Sequence, residues 1–161
     1  MDIEKYIEYM KEKHKDQKRK QGTPYYIHPL EVSKMLKEKG FSIEYQIVGL
    51  FHDLLEDTNT TYDDIEKIST KEIAEAVKLL TKEDGYNMEK YIERIKNNDI
   101  ARMVKIADRI HNLSEAHLAS QEFQNKYIKE TEEWFLDLAK STVFENDLNI
   151  VLSKLKQMQN I

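Results

Sequence analysis

The chain has 161 residues, of which 40% are hydrophobic and 34% are charged, and its formal net charge is −5. This length suits one domain with a sizeable core, and the composition excludes a disordered chain. The acidic balance argues against broad nucleic-acid binding, because phosphate backbones require clustered Lys and Arg. The sequence contains no Cys, which excludes disulfides, thiolate metal sites and thiol nucleophiles.

Two absences from the sequence bear on location. The N-terminal segment lacks the basic stretch and apolar run of a secretory leader. Nowhere do about 18 apolar residues follow one another, as a membrane-spanning helix requires. We therefore expect a cytoplasmic protein that does not contact the membrane.

Apolar residues recur with helical spacing along most of the sequence, and 4 Gly and 2 Pro leave few breaks. In chain order, helices are predicted at residues 2–15, 29–40, 42–57, 87–97, 99–115, 121–140 and 145–159. Two further short helices are predicted to begin at the capping residues Thr61 and Ser69. The basic run 14–20 and the stretch 81–86 are predicted loops. No strand-like alternation interrupts this pattern, so we predict an all-α bundle of about seven or more helices.

One chemical signal lies in the third predicted helix, at His52-Asp53-Leu54-Leu55-Glu56-Asp57. At about 100° per residue, its four polar side chains share one arc of about 140°. Carboxylates alone would indicate only a solvated helix face. An imidazole beside a carboxylate, however, is a donor pair that suits Mn, Fe, Zn or Mg, and the two carboxylates one turn later are placed to act on water.

A metal needs further ligands, and two residues elsewhere are candidates. Asp108 interrupts an otherwise apolar helix face, so it must be paired or ligating; a salt bridge with Lys105 or Arg109 is the alternative. His28 stands at the start of a helix, where it would otherwise be an ordinary histidine bonded to the backbone. His111 projects elsewhere on its helical wheel, and we expect a structural role for it.

Together these segments resemble the pattern of the HD phosphohydrolases and, more narrowly, the hydrolase domain of the RelA/SpoT family. The resemblance lies in the basic run 14–20 and in three motifs: Pro24-Tyr25-Tyr26-Ile27-His28-Pro29, His52-Asp53-Leu54-Leu55-Glu56-Asp57-Thr58 and Ala107-Asp108-Arg109-Ile110-His111-Asn112-Leu113. It extends from about Ile3 to Glu115, while residues 121–161 match only in general character. The resemblance implies a single HD domain over residues 1–161, in which the C-terminal helices complete the bundle.

The resemblance also implies an activity, namely metal-dependent hydrolysis of the 3′-pyrophosphate of the guanosine alarmones ppGpp and pppGpp, giving GDP or GTP and pyrophosphate. One divalent ion, manganese in this family, would be held by four ligands: His28, His52, Asp53 and Asp108. Glu56 would orient or deprotonate the water, and Asp57 would fix that geometry or shuttle the proton. The implied substrate contacts are Arg19, Lys20, Tyr25 and Asn112. The residues by themselves leave open that the basic run is a solvated loop and that Tyr25 serves packing.

The sequence departs from the family pattern after Asn112. A basic residue and a threonine often follow there, whereas this chain has Ser114 and Glu115. An acidic group near phosphates would repel them, which leaves the substrate open. The alternatives are an HD phosphohydrolase acting on another nucleotide or ribose-phosphate compound, and a catalytically silent module that binds a nucleotide or a protein. The expected partner is a small nucleotide; the oligomeric state is not determined by the sequence.

Overall fold

The computed structural model describes residues 1–160, and most of them are helical. The helices are α1 (Ile3–Lys13), α2 (Ile27–Glu38), α3 (Ile43–Phe51), α4 (Leu54–Asp57), α5 (Tyr62–Ile68), α6 (Lys71–Leu80), α7 (Met88–Lys96), α8 (Asp99–Glu115), α9 (Gln121–Glu130), α10 (Leu136–Ala139) and α11 (Glu145–Gln159). A 3₁₀ turn (Ala116–Leu118) follows α8, and a π-helical turn (Thr131–Phe135) joins α9 to α10. No strand occurs among the described residues, which confirms the predicted all-α class.

Helix α8 lies at the centre of the bundle. Helices α2, α3, α6, α7 and α11 all contact it. Its inward face carries buried aliphatic side chains, among them Val104, Ile106 and Ile110. Because α8 is covered on several sides, the charged residues Asp108 and Arg109 are buried together with these aliphatic side chains. Among the described residues, none of the helices combines the length and the hydrophobicity that a membrane span requires.

Helices α2 and α3 pack closely because Gly49 has no side chain. A Cβ atom at this position would lie 3.0 Å from Leu36 Cδ1 and 3.3 Å from the Cα of Ser33. Ser33 Oγ also donates a hydrogen bond to the carbonyl of Gln46, at 2.9 Å. This close approach brings the start of α2 against the end of α3, and the functional side chains lie there.

The predicted helix over residues 42–57 is wrong in one respect, because it is broken at His52 and Asp53. Helix α3 ends at Phe51 and the short α4 begins at Leu54. His52 Nδ1 lies 2.7 Å from the carbonyl oxygen of Gly49 and donates to it. A side chain that occupies a carbonyl three residues back competes with the regular helix ladder. His52 and Asp53 therefore do not lie on one straight helix with the following acidic pair.

The predicted caps are correct in one case and displaced in the other. Thr61 and Asp64 form a reciprocal capping box at the start of α5. At α6, however, the capping residue is Thr70, whose hydroxyl accepts from the amide of Ile73 at 3.1 Å. Ser69 does not cap α6, because its hydroxyl donates to the Ile65 carbonyl of the preceding helix at 2.6 Å.

The predicted helix over residues 121–140 contains a π-helical turn. Arg109 of α8 reaches this point, and its guanidinium lies 3.8 Å from the ring centroid of Tyr127 and 3.9 Å from that of Phe135. Its Nη2 is 2.5 Å from Glu130 Oε1. A π turn adds a residue to the helical ladder and reorients the side chains around it. The C-terminal helices thus enclose a charged residue of the central helix.

Candidate metal centre and adjoining pocket

Three segments far apart in the sequence bring two imidazoles and a carboxylate together. His28 lies in the first turn of α2, His52 directly follows α3, and Asp108 lies in the middle of α8. One ligand atom from each lies within 4.8 Å of the others. His28 Nε2 is 2.8 Å and His52 Nε2 is 3.3 Å from the same oxygen, Asp108 Oδ1. All three residues are buried.

The fourth predicted ligand, Asp53, stands at the edge of this cluster. Its Oδ2 lies 3.0 Å from His52 Nε2 and 4.0 Å from His28 Nε2. The hydroxyl of Tyr25 donates a hydrogen bond to the same oxygen. The structure therefore places the four predicted ligands in contact, with Asp53 also tied to Tyr25.

The orientation of His52 tests whether these residues fit a metal ion. Its Nδ1 donates to the Gly49 carbonyl, so its buried Nε2 is turned into the cluster, where the carboxylate oxygens of Asp53 and Asp108 lie close without a well-directed hydrogen bond. Buried polar atoms are rarely left unpaired, and a nitrogen lone pair among carboxylates is a metal-ligand position. Two imidazole nitrogens with carboxylate oxygens suit Mn, Fe or Zn. The donor set and the orientation of His52 Nε2 both fit one divalent cation.

The titration behaviour of the cluster shows a demand for positive charge. Burial lowers the pKa of His52, but Asp53 and Asp108 raise it more, so it stands well above its ordinary value. Burial raises the pKa of Asp53, but His52 lowers it more, so the net pKa is well below the usual range. Asp53 and Asp108 thus favour a positive charge at this position. A divalent cation would supply that charge, with the imidazole binding it in the neutral form.

Asp108 forms the salt bridge that the sequence left as an alternative, and it also belongs to the histidine cluster. Asp108 Oδ2 lies 3.2 Å from Lys105 Nζ, while Oδ1 faces the histidines. Burial raises the pKa of Asp108, but Lys105 and the histidines lower it by more, so the net pKa is well below its usual range. Arg109, the other candidate partner, pairs with Glu130 instead. One carboxylate thus serves a lysine and the histidine cluster with different oxygens.

His111 does not project away from the site, as its helical wheel had suggested. Its Nδ1 lies 2.7 Å from His28 Nδ1. Burial, together with the charges of His28 and Arg19, lowers the pKa of His111 to about 4, so it is neutral near pH 7. Its spacing of three residues from Asp108 is a signal that could have placed it near the site, because such positions are neighbours on a helix surface.

The two predicted catalytic carboxylates lie on α4, at the exposed side of the cluster. Glu56 Oε1 accepts a hydrogen bond from the backbone amide of Lys82, in the loop after α6. Partial desolvation, together with the charges of Asp53 and Glu56, raises the pKa of Asp57 to about 6. Glu56 is therefore held by one oxygen, and Asp57 retains a proton closer to neutral pH than an ordinary aspartate does.

A cavity of about 310 Å³ adjoins the cluster, and all four predicted substrate contacts line it: Arg19, Lys20, Tyr25 and Asn112. Two of them reach the metal ligands directly. The hydroxyl of Tyr25 donates to Asp53, and Asn112 Nδ2 donates to Asp108 Oδ1 at 3.1 Å. Arg19 Nη2 in turn donates to Asn112 Oδ1 at 2.9 Å. A ligand in this cavity would thus lie next to the cluster.

The opposite wall of the cavity includes residues that the sequence did not indicate. Phe123 and Tyr127 of α9 line it, and their rings stack with centroids 5.1 Å apart. Lys20 Nζ lies 4.9 Å from the centroid of Phe123. Aromatic residues on a helix pattern ordinarily predict core packing, so only the docking of α9 shows that these rings face a cavity.

Glu115, the acidic departure from the family pattern, also lines this cavity. Its Oε1 lies 3.1 Å from Arg19 Nη2 and 3.7 Å from His111 Nε2. The carboxylate is thus balanced by a guanidinium. A bound phosphate would meet this pair, and not an isolated negative charge.

The family follows from the comparison with known sequences. Residues 7–142 match the family model described as HD domain. The chain belongs to the HD domain family. Among solved structures, this HD domain resembles one described as "A metazoan ortholog of SpoT hydrolyzes ppGpp and plays a role in starvation responses". The TM-score is 0.81 at 22% identity, with 98% of this chain and 94% of that chain covered, which confirms the predicted HD-type fold.

Two curated relatives share more of the sequence. The chain is 37% identical to the guanosine-3′,5′-bis(diphosphate) 3′-pyrophosphohydrolase of Aquifex aeolicus, over 86% of this chain. It is 33% identical to the probable enzyme of the same name from Synechocystis, over 78% of this chain. The matched regions are 21% and 18% of the lengths of these relatives. The HD domain thus corresponds to about a fifth of each relative.

Proposed function

We propose that this HD domain hydrolyses the 3′-pyrophosphate of guanosine alarmones, converting ppGpp or pppGpp to GDP or GTP and pyrophosphate. Manganese is the proposed ion, and His28, His52, Asp53 and Asp108 are its proposed ligands. The relatives from Aquifex and Synechocystis carry the name of this activity, and the matched regions span most of the chain. We further propose that residues 1–161 act as one domain, on a small nucleotide in the cytoplasm.

The observation that carries this proposal is the contact between the ligand cluster and the cavity. Tyr25 and Asn112 line the cavity and also donate hydrogen bonds to Asp53 and Asp108. A nucleotide in the cavity would therefore lie one side chain away from the cluster, with Tyr25 and Asn112 between them. Guanidinium and ammonium groups from residues 18–20 suit these phosphates, and the aromatic wall suits a base.

The chain's own residues then divide the chemistry. A divalent ion in the cluster would supply a Lewis acid that acidifies water and neutralises phosphate charge. Glu56 accepts the proton of the attacking water at Oε2, because its Oε1 is engaged by the Lys82 amide. Asp57, whose pKa is raised to about 6, is suited to pass a proton to the departing 3′-oxygen. The water oxygen bonds to the phosphorus that carries the 3′-oxygen, and the bond between this phosphorus and the 3′-oxygen breaks. Pyrophosphate leaves with the water oxygen, and the nucleotide keeps a 3′-hydroxyl.

The ion pair between Glu115 and Arg19 answers the main objection to an alarmone substrate, which was that an acidic residue would repel its phosphates. Glu115 was expected to repel phosphates, but its carboxylate lies against Arg19. On binding, the substrate competes for Arg19 with an internal partner, which weakens the interaction without excluding it. The proposal therefore predicts measurable but reduced affinity relative to a chain with a neutral residue at this position.

The decisive experiment is release of pyrophosphate from ppGpp by the purified chain, with and without manganese, with GDP followed as the second product. Asp108→Asn serves as the matched control, since it keeps the side-chain shape and removes the buried negative charge. Metal-dependent release by the wild type and none by the variant would support the proposal. Release from another phosphorylated nucleotide but not from ppGpp would refute the alarmone assignment while keeping the HD chemistry. If a metal-loaded protein releases no phosphate or pyrophosphate from any nucleotide, the proposed hydrolase activity is refuted.

A further inference from the structure

A histidine that binds a metal through one nitrogen needs a partner for the other. The second nitrogen carries a proton, and an acceptor for it fixes both the tautomer and the ring orientation. His52 meets this need with the Gly49 carbonyl, 2.7 Å from its Nδ1. His28 stands in the first turn of α2, and its Nδ1 has a different kind of partner. That partner is the Nδ1 of His111, also at 2.7 Å.

Two imidazole nitrogens at this distance share one proton, so one donates and the other accepts. If His28 is to present an unprotonated Nε2 to a metal, its Nδ1 must be the donor. His111 Nδ1 must then be the acceptor, and the proton of that ring must reside on Nε2. Glu115 Oε1 lies 3.7 Å from this Nε2, and a nearby carboxylate favours a proton there.

We propose that His111 is a positioning residue for the metal ligand His28, and that the nearby charge of Glu115 favours the tautomer of His111 that this role requires. The contacts form a closed circuit around the site. Glu115 faces Arg19, Arg19 donates to Asn112, and Asn112 donates to Asp108. Asp108 Oδ1 completes the circuit at His28 Nε2, 2.8 Å away. A glutamate at position 115 thus acts on the metal ligand from the side of the cavity.

The substitutions His111→Asn and His111→Leu distinguish the effect of losing the hydrogen-bond acceptor at position 111 from the effect of changing the side-chain volume there. Asparagine places Oδ1 near the position of the histidine Nδ1, whereas leucine places a methyl group there. Removing the outer partner of a ligating histidine costs roughly 10- to 100-fold in metal affinity. We expect this loss for His111→Leu and a change within about threefold for His111→Asn. The measurement is titration of the full metal-free chain with manganese by calorimetry, without nucleotide.

A spectroscopic readout tests the hydrogen bond itself. In the chain loaded with diamagnetic zinc, ¹H–¹⁵N spectra should show a slowly exchanging Nδ1 proton on His28. This signal should persist in His111→Asn and be lost or exchange rapidly in His111→Leu. If the leucine variant does not fold, His111→Ala provides the same contrast.

Two results would overturn the proposal. One is unchanged manganese affinity in His111→Leu, which would show that His28 needs no acceptor from α8. The other is an equal loss in the asparagine and leucine variants, which would assign the effect to packing. Because only metal binding is measured, the inference depends on the metal site of the proposed function and not on its substrate. A chain that fails to cleave ppGpp would therefore leave it standing.

Discussion

Replacement of Glu56 by glutamine separates its proposed chemical role from its structural one. The Oε1 atom accepts a hydrogen bond from the Lys82 amide, and a glutamine oxygen can accept the same bond. The loop after α6 therefore keeps its anchor. The second oxygen becomes an amide nitrogen that cannot take a proton from water. Glu56 is not among the clustered ligand atoms, so manganese affinity should be unchanged.

The expected loss is in turnover. A positioned general base contributes about 10²- to 10⁴-fold, equivalent to about 3–5 kcal/mol of transition-state stabilisation. We expect kcat for ppGpp at saturating manganese to fall by this factor, with KM and the manganese Kd within about threefold of wild type. Glu83→Gln, the same change at an exposed residue of the neighbouring loop, is the matched control. A Glu56→Gln variant with kcat within twofold of wild type would refute the role of general base.

Three further predictions concern binding and stability. His52→Ala should abolish manganese binding in calorimetry, because it removes a buried ligand; a variant with full metal content would disprove the site. Tyr25→Phe removes the hydroxyl that donates to Asp53, so manganese affinity should fall about tenfold, and an unchanged Kd would show that this bond does not support the ligand. The pKa of Asp57 is about 6 when folded against an ordinary 3.8, so the folded state keeps this proton to higher pH than the unfolded chain. The resulting stabilisation is complete below about pH 4 and lost as pH rises through 6. In urea unfolding with a chelator at pH 7.5, the free energy of unfolding of Asp57→Asn should exceed that of the wild type by up to about 1 kcal/mol, a figure kept small because the residue is exposed. At pH 4 the two proteins should be equally stable. Equal differences at both pH values would contradict the pKa shift.

The all-helical class and most helix positions could be predicted from the sequence, because apolar spacing and caps are local properties. The Thr61 capping box is one example, since its two partners are three residues apart. The break at His52 could not be predicted in the same way. Helical periodicity continues through His52 and Asp53, and the break is seen only in the structure, where α3 ends at Phe51 and the His52 ring lies in the cluster with His28 and Asp108.

The candidate site shows the same division. The sequence indicated His28, His52, Asp53 and Asp108 as a ligand set, because imidazole and carboxylate groups in this motif pattern resemble a known family. It could not indicate that His111 contacts His28, since those residues are 83 positions apart and the contact depends on how α2 packs against α8. Nor could it place Phe123 and Tyr127 in the cavity wall.

The sequence by itself thus determined which groups are available: a cysteine-free helical chain whose motifs hold the four proposed ligands, two histidines and two aspartates, and the acidic pair Glu56 and Asp57. The tertiary structure decided their relations. Packing of α2 and α3 against the central α8 set the distances within the cluster, and docking of α9 made the cavity. The ion pair between Glu115 and Arg19 shows the difference most directly. From the sequence, Glu115 is expected to repel phosphates, whereas in the structure its charge is balanced by the Arg19 guanidinium. Local patterns encode helices and donor types, whereas charge balance and orientation arise from contacts between helices.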